Sequence, residues 1–106
     1  MNDAEFDRLA GAALHEIERR LEACAADLDF ELKEGGVLEL EFADGSKVIV
    51  NRHGAAREIW VAARSGGFHF RWDGAVWRDT RDGSELFAAL ARVASEQAGE
   101  PVRLAS

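Results

Sequence analysis

Between residues 38 and 79, apolar and polar residues alternate in short runs, and Asp44-Gly45, Gly66-Gly67 and Asp73-Gly74 cut the runs apart. Period-two alternation puts the apolar side chains on one face of a strand, and these dipeptides tolerate the backbone of a tight turn. The region therefore predicts consecutive, hairpin-linked antiparallel strands. Leu38, Leu40 and Phe42 alternate with Glu39 and Glu41, and Ser46 to Asn51 forms the returning strand. After a connection from Arg52 to Arg57 comes Glu58 to Ala63, in which Ile59, Val61 and Ala63 face one way and Glu58, Trp60 and Ala62 the other. Phe68 to Trp72 and Val76 to Asp79 complete the series, and the residues that precede Leu38 read as an acidic connection.

Helical patterns bracket the strands. Asn2 and Glu5 have capping-box spacing, and Phe6, Leu9, Ala13, Leu14, Ile17, Leu21 and Cys24 then recur on one helical face, which predicts a helix over residues 3 to 25. Asp82 and Glu85 repeat the capping pattern before Leu86, Phe87, Leu90, Val93 and Ala94, and Gly99 and Pro101 close that helix. One stripe per helix and one face of a sheet are buried most simply in an α+β fold, with both helices on the same side of an antiparallel sheet. The other sheet face stays wet. At 106 residues and 47% hydrophobic, the chain is expected to form one domain over residues 1 to 106.

Charge narrows the function. Residues 1 to 44 hold 13 acids against 4 bases and residues 45 to 106 hold 7 against 9, so the front carries −9, the back +2 and the whole −7. A polyanion is a poor partner for such a chain, which excludes nucleic acid and favours cations and basic proteins. The opening Met1-Asn2-Asp3-Ala4-Glu5 is acidic where a targeting peptide carries positive charge, and no apolar run reaches membrane-spanning length. A lone Cys24 permits no disulfide, and a cytoplasmic setting with no membrane contact is expected.

On a helical wheel, Asp7, Gly11, His15, Glu18 and Glu22 share a stripe beside the buried one, and Asp27, Asp29 and Glu31 follow as the chain leaves the helix. Clustered carboxylates repel one another and a hard cation relieves the repulsion, so weak, multi-site binding of iron or other divalent metals fits this ridge. Catalytic patterns are not evident. His15, His53 and His69 form no HxH or HExxH motif, Cys24 continues an apolar stripe, and Gly35-Gly36 and Gly66-Gly67 lack the context of a phosphate loop. No enzyme activity and no organic cofactor are expected. Trp60 lies on the face that the helices leave open, either as an interface anchor or as a ring lying flat to shield the sheet.

Three segments carry a resemblance: Ser46-Lys47-Val48-Ile49-Val50-Asn51, Ile59-Trp60-Val61-Ala62 and Ser65-Gly66-Gly67-Phe68-His69-Phe70. Together with Glu5-Phe6 and the helix start at Asp82-Gly83-Ser84-Glu85-Leu86-Phe87, they resemble the frataxin family essentially end to end. The resemblance implies a two-layer α/β sandwich, and iron binding by acids of the first helix and first strand. By position these acids are Asp3, Asp7, Glu16, Glu18, Glu22, Asp27, Asp29 and Glu31. It also implies a regulatory or adaptor role in iron–sulfur cluster assembly, through contact of Asn51, Glu58 and Trp60 with the cysteine desulfurase and the scaffold protein. The expected state is a monomer, with oligomerisation driven by iron. Glu58 and Ala55 stand where the family usually has glutamine and proline, which alters the contact across the sheet. The alternative is an iron chaperone, or a storage or ferroxidase protein; the last needs a buried di-iron site with Glu-x-x-His motifs, which the chain does not show.

Overall fold

The computed structural model describes residues 1–105. Helix α1 (Asp3–Ala23) opens on the expected capping box: the Asn2 side chain accepts from the Glu5 N–H at 2.8 Å, and Glu5 accepts from the Asn2 N–H at 3.4 Å. It ends two residues before the predicted boundary, with Cys24 in an extended C-cap conformation and half-buried at the margin of the core. Six strands follow: β1 (Leu28–Lys33), β2 (Val37–Phe42), β3 (Lys47–His53), β4 (Glu58–Ala63), β5 (Gly66–Trp72) and β6 (Trp77–Asp79), before α2 (Leu86–Ala98). They pair strictly in sequence order, each antiparallel to the next.

The acidic connection is corrected by β1. Leu28, Phe30 and Leu32 are half-buried and alternate with exposed Asp29, Glu31 and Lys33, so the stretch is a genuine period-two strand. Its inner residues are only half covered because it forms the sheet edge, and its acids disguise the pattern. Two residues of the expected 52–57 connection, Arg52 and His53, also belong to β3. The second capping box is corrected as well. Glu85 itself is the N-cap, its carboxylate accepting from the Phe87 and Ala88 N–H groups at 2.9 and 3.1 Å. Asp82 instead accepts from the Ser84 N–H at 2.9 Å within the preceding turn. The helix stops where expected, at Gly99 in the left-handed conformation.

The core lies between the helices and one face of the sheet. Phe6, Ala10, Leu14 and Ile17 of α1 and Leu86, Leu90, Val93 and Ala94 of α2 cover Leu38, Leu40, Val48, Val50, Ile59, Val61 and Phe70. Each large side chain so buried contributes about 1.5–3 kcal/mol relative to exposure. Val102 and Leu104 extend the core beyond α2, and the Arg20 guanidinium, lying over Phe87 at 3.8 Å, donates to the Leu104 carbonyl at 3.1 Å. Trp77 is buried edge-on to Phe6, while Trp72 is half-buried against it.

Candidate functional site

The acids of the ridge fall into distinct local environments. Asp3 accepts from Arg57 at 2.8 Å, and Asp7 is bonded to Arg52, both arginines coming from the end of β3 and the turn after it. Glu16 receives Arg19 Nε at 3.0 Å and Arg20 Nε at 2.8 Å; these hydrogen bonds, Arg19 first and Arg20 second, hold its carboxyl down at about 2. Glu18 lies 3.8 Å from His15 Nδ1. Glu22, Asp27, Asp29 and Glu31 are exposed. Among the described residues, no three His, Cys, Asp or Glu side chains converge on a point that could hold a metal ion. The donors are carboxylate oxygens, which suit a hard cation, but they line a surface and do not close a cage.

What the structure does bring together is a set of acids across two strands. The β1–β2 register places Asp29 opposite Glu41 and Glu31 opposite Glu39, and these four with Phe30 line an open cleft on the outer sheet face. Lys33 and Lys47 both reach Glu39, at 2.9 and 2.7 Å; the Lys47 bond is the larger cause, ahead of Lys33, of a carboxyl held below its ordinary range. Glu39 and Glu41 are absent from the ridge inferred from sequence. Their alternation with Leu38 and Leu40 put them on the wet face, but their neighbours became visible only once residues 28–33 were a strand.

The second constellation centres on Trp60, which leaves the sheet on the face away from the helices, as its phase predicted. The register aligns Asn51, Trp60 and His69 on β3, β4 and β5. His53 stacks on one face of the indole, with ring centroids 3.8 Å apart and planes 10° apart, and His69 on the other, at 4.4 Å and 9°. Both spacings approach the distance between neighbouring strands, so the three rings stand side by side in a rack. The indole therefore neither lies flat nor projects alone; its two faces are covered and it remains half-buried.

Glu58 anchors this rack. Only 5% exposed, it accepts from Trp60 Nε1 at 2.8 Å and from Arg71 Nε at 2.6 Å, with His69 Nδ1 at 3.6 Å. Burial pushes the carboxyl up, but the hydrogen bonds from Trp60 and Arg71 and the charges of Arg71 and His69 outweigh it, so the net shift is downward. His53 Nδ1 accepts from the Ala56 N–H at 3.2 Å, which ties the rack to the turn after β3. In sequence His53 and His69 share no motif and lie on separate elements. Period-two phase together with the β3–β4–β5 register is the signal that would have placed both beside Trp60.

Six antiparallel strands in sequence order, two helices on one side and an acidic edge beside an aromatic-centred wet face form the frataxin architecture. The frataxin-like domain model matches residues 1–100, and the chain belongs to the frataxin-like family. It is 67% identical over 104 residues to the iron-sulfur cluster assembly protein CyaY of Dechloromonas aromatica, covering 98% of this chain and 99% of that one. To the protein of the same name in Paraburkholderia phymatum it is 51% identical over 105 residues, covering 99% of each. Among solved structures, frataxin from Psychromonas ingrahamii superposes with a TM-score of 0.91 at 33% identity, covering all of both chains. A trimeric frataxin from Saccharomyces cerevisiae, solved with ferrous iron, superposes with a TM-score of 0.67 at 26% identity, covering 91% of this chain and 87% of that one. No helix among the described residues is long and apolar enough to cross a membrane.

Proposed function

We propose that this protein is an iron-binding adaptor of iron–sulfur cluster assembly, acting in the cytoplasm on a complex of cysteine desulfurase and scaffold protein. The names of its relatives support the assembly role, and the ferrous complex of the yeast relative supports iron as the cargo. The observation that carries the adaptor reading is the rack on the wet face. Buried Glu58 and two imidazoles hold Trp60 in one orientation, so little side-chain entropy is lost when a partner covers it. In this reading Asn51 and Trp60 touch the partner and buried Glu58 serves the contact by holding Trp60, while Asp3, Asp7, Glu16, Glu18, Glu22, Asp27, Asp29 and Glu31 supply iron-binding carboxylates. Iron held by exposed carboxylates keeps much of its hydration, so affinity is low and other divalent ions compete. Asp3, Asp7 and Glu16, already held by arginines, bind less well than Glu18, Glu22 and Asp27.

Desulfurase turnover, measured with and without the protein over a range of ferrous concentrations, tests the reading. Turnover should change on addition of the wild type, and change less with Trp60→Ala at an unaltered circular dichroism spectrum. Turnover indifferent to the protein at every iron concentration would sink the adaptor role.

A further inference from the structure

The outer sheet face carries like charges opposite each other at both of its margins. At the β1–β2 margin the pairs are Asp29 with Glu41 and Glu31 with Glu39; at the β5–β6 margin Arg71 stands opposite Arg78. Directly opposed like charges weaken a sheet, and these pairs lie at the two ends of one surface, with the Trp60 rack between them. The arginines are held in place. Arg71 is gripped through Nε by Glu58 at 2.6 Å and Arg78 through Nε by Asp73 at 2.7 Å, while Arg78 Nη1 reaches the Gly83 carbonyl at 3.0 Å. The side chains are nonetheless 69% and 51% exposed. Bonding through Nε leaves both terminal nitrogens of Arg71 for forked contact with a carboxylate, whereas Arg78, engaged through Nε and Nη1, keeps Nη2 for a single charge-assisted hydrogen bond.

We infer that Arg71 and Arg78 form a second docking pole for an acidic patch on a partner protein, so that the outer face reads its partner at two poles of opposite charge. The inference rests on the adaptor reading above and specifies the orientation of docking. Centre to centre, the β1–β2 and β5–β6 pairs are four strand spacings apart, roughly 19 Å across the sheet, so the partner surface carries a basic patch about that far from an acidic one. The partner is a separate folded protein of the assembly machinery. A second copy of this chain, laid face to face with its acidic margin on Arg71 and Arg78, is the competing occupant.

The test uses the full chain and a purified cysteine desulfurase–scaffold complex, with binding kinetics at low and high salt. Charge reversal by Arg71→Glu with Arg78→Glu should weaken binding by about tenfold or more at low salt and flatten its salt dependence, as Asp29→Lys with Glu41→Lys should. Because Arg71 also bonds Glu58, the milder Arg78→Gln provides a control that leaves the rack untouched, and melting curves confirm folding. A photo-crosslinker at position 78 should capture an acidic segment of the complex, and one at position 41 a basic segment. Wild-type affinity in the arginine variants, or crosslinks from position 78 to another copy of this chain, would overturn the inference. Trp60→Ala separates the two readings: if it weakens binding while the arginine reversals do not, the second pole falls and the adaptor docking stands. If it leaves binding intact while the reversals weaken it, the Trp60 anchor falls and the pole stands.

Discussion

Replacing Glu58 tests how the Trp60 rack is held. In Glu58→Gln the amide oxygen can still accept from Trp60 Nε1, but Arg71 and His69 lose a negative charge at 2.6 and 3.6 Å. A hydrogen bond to a charged group contributes about 1.5–3 kcal/mol, yet Arg71 is 69% exposed and turns to water when released, so the loss should fall to about 1 kcal/mol. Glu58→Ala also orphans the half-buried indole N–H, which adds a desolvation cost and brings the loss to about 2–3 kcal/mol. For a chain of this size, each kcal/mol should lower Tm by roughly 4–8 °C. The pH dependence gives the sharper test. The folded-state carboxyl of Glu58 lies below its ordinary value of 4.5, so its contribution is fully present above that value and is lost as pH falls through the folded pKa. Urea melts of wild type and Glu58→Gln should therefore differ at pH 7 and converge at acidic pH, with equal m-values. A Glu58→Gln variant as stable as wild type at neutral pH, or a difference that persists undiminished in acid, would refute the reasoning.

Two further substitutions probe the surroundings. Gly36→Ala should destabilise by about 1–3 kcal/mol in urea melts, because φ is +75° there and an added Cβ would lie 2.2 Å from Arg52 Cδ, forcing aside the arginine that bonds Asp7. Asp29→Asn should stabilise by a few tenths of a kcal/mol by removing its like-charge pairing with Glu41, whereas Glu41→Gln, which also gives up the opposite-charge pairing with Lys47, should gain less; added salt should shrink the Asp29→Asn gain, and thermal melts at two ionic strengths showing a loss for it would contradict this.

Local chemistry was enough to place most of the fold. The capping box at Asn2 and the apolar stripe from Phe6 to Leu21 define α1, and Gly45, Gly66 and Gly74 mark hairpins that the chain makes. The phase of Glu58–Ala63 put Ile59 and Val61 in the core and Trp60 on the open face, because side-chain alternation along a strand is a property of the strand alone. Only the closed tertiary structure decided who stands next to whom. Register joins residues far apart in sequence: Arg57 reaches Asp3 and Arg52 reaches Asp7, 54 and 45 positions back, which turns ridge acids into ion pairs. His53 and His69 become the two sides of one indole only because β3, β4 and β5 lie side by side. Likewise β1 is a strand through the hydrogen bonds of β2, and without that neighbour its acids read as a loop. Periodicity sets which way a side chain points; burial and strand pairing, summed over the whole chain, set what it meets.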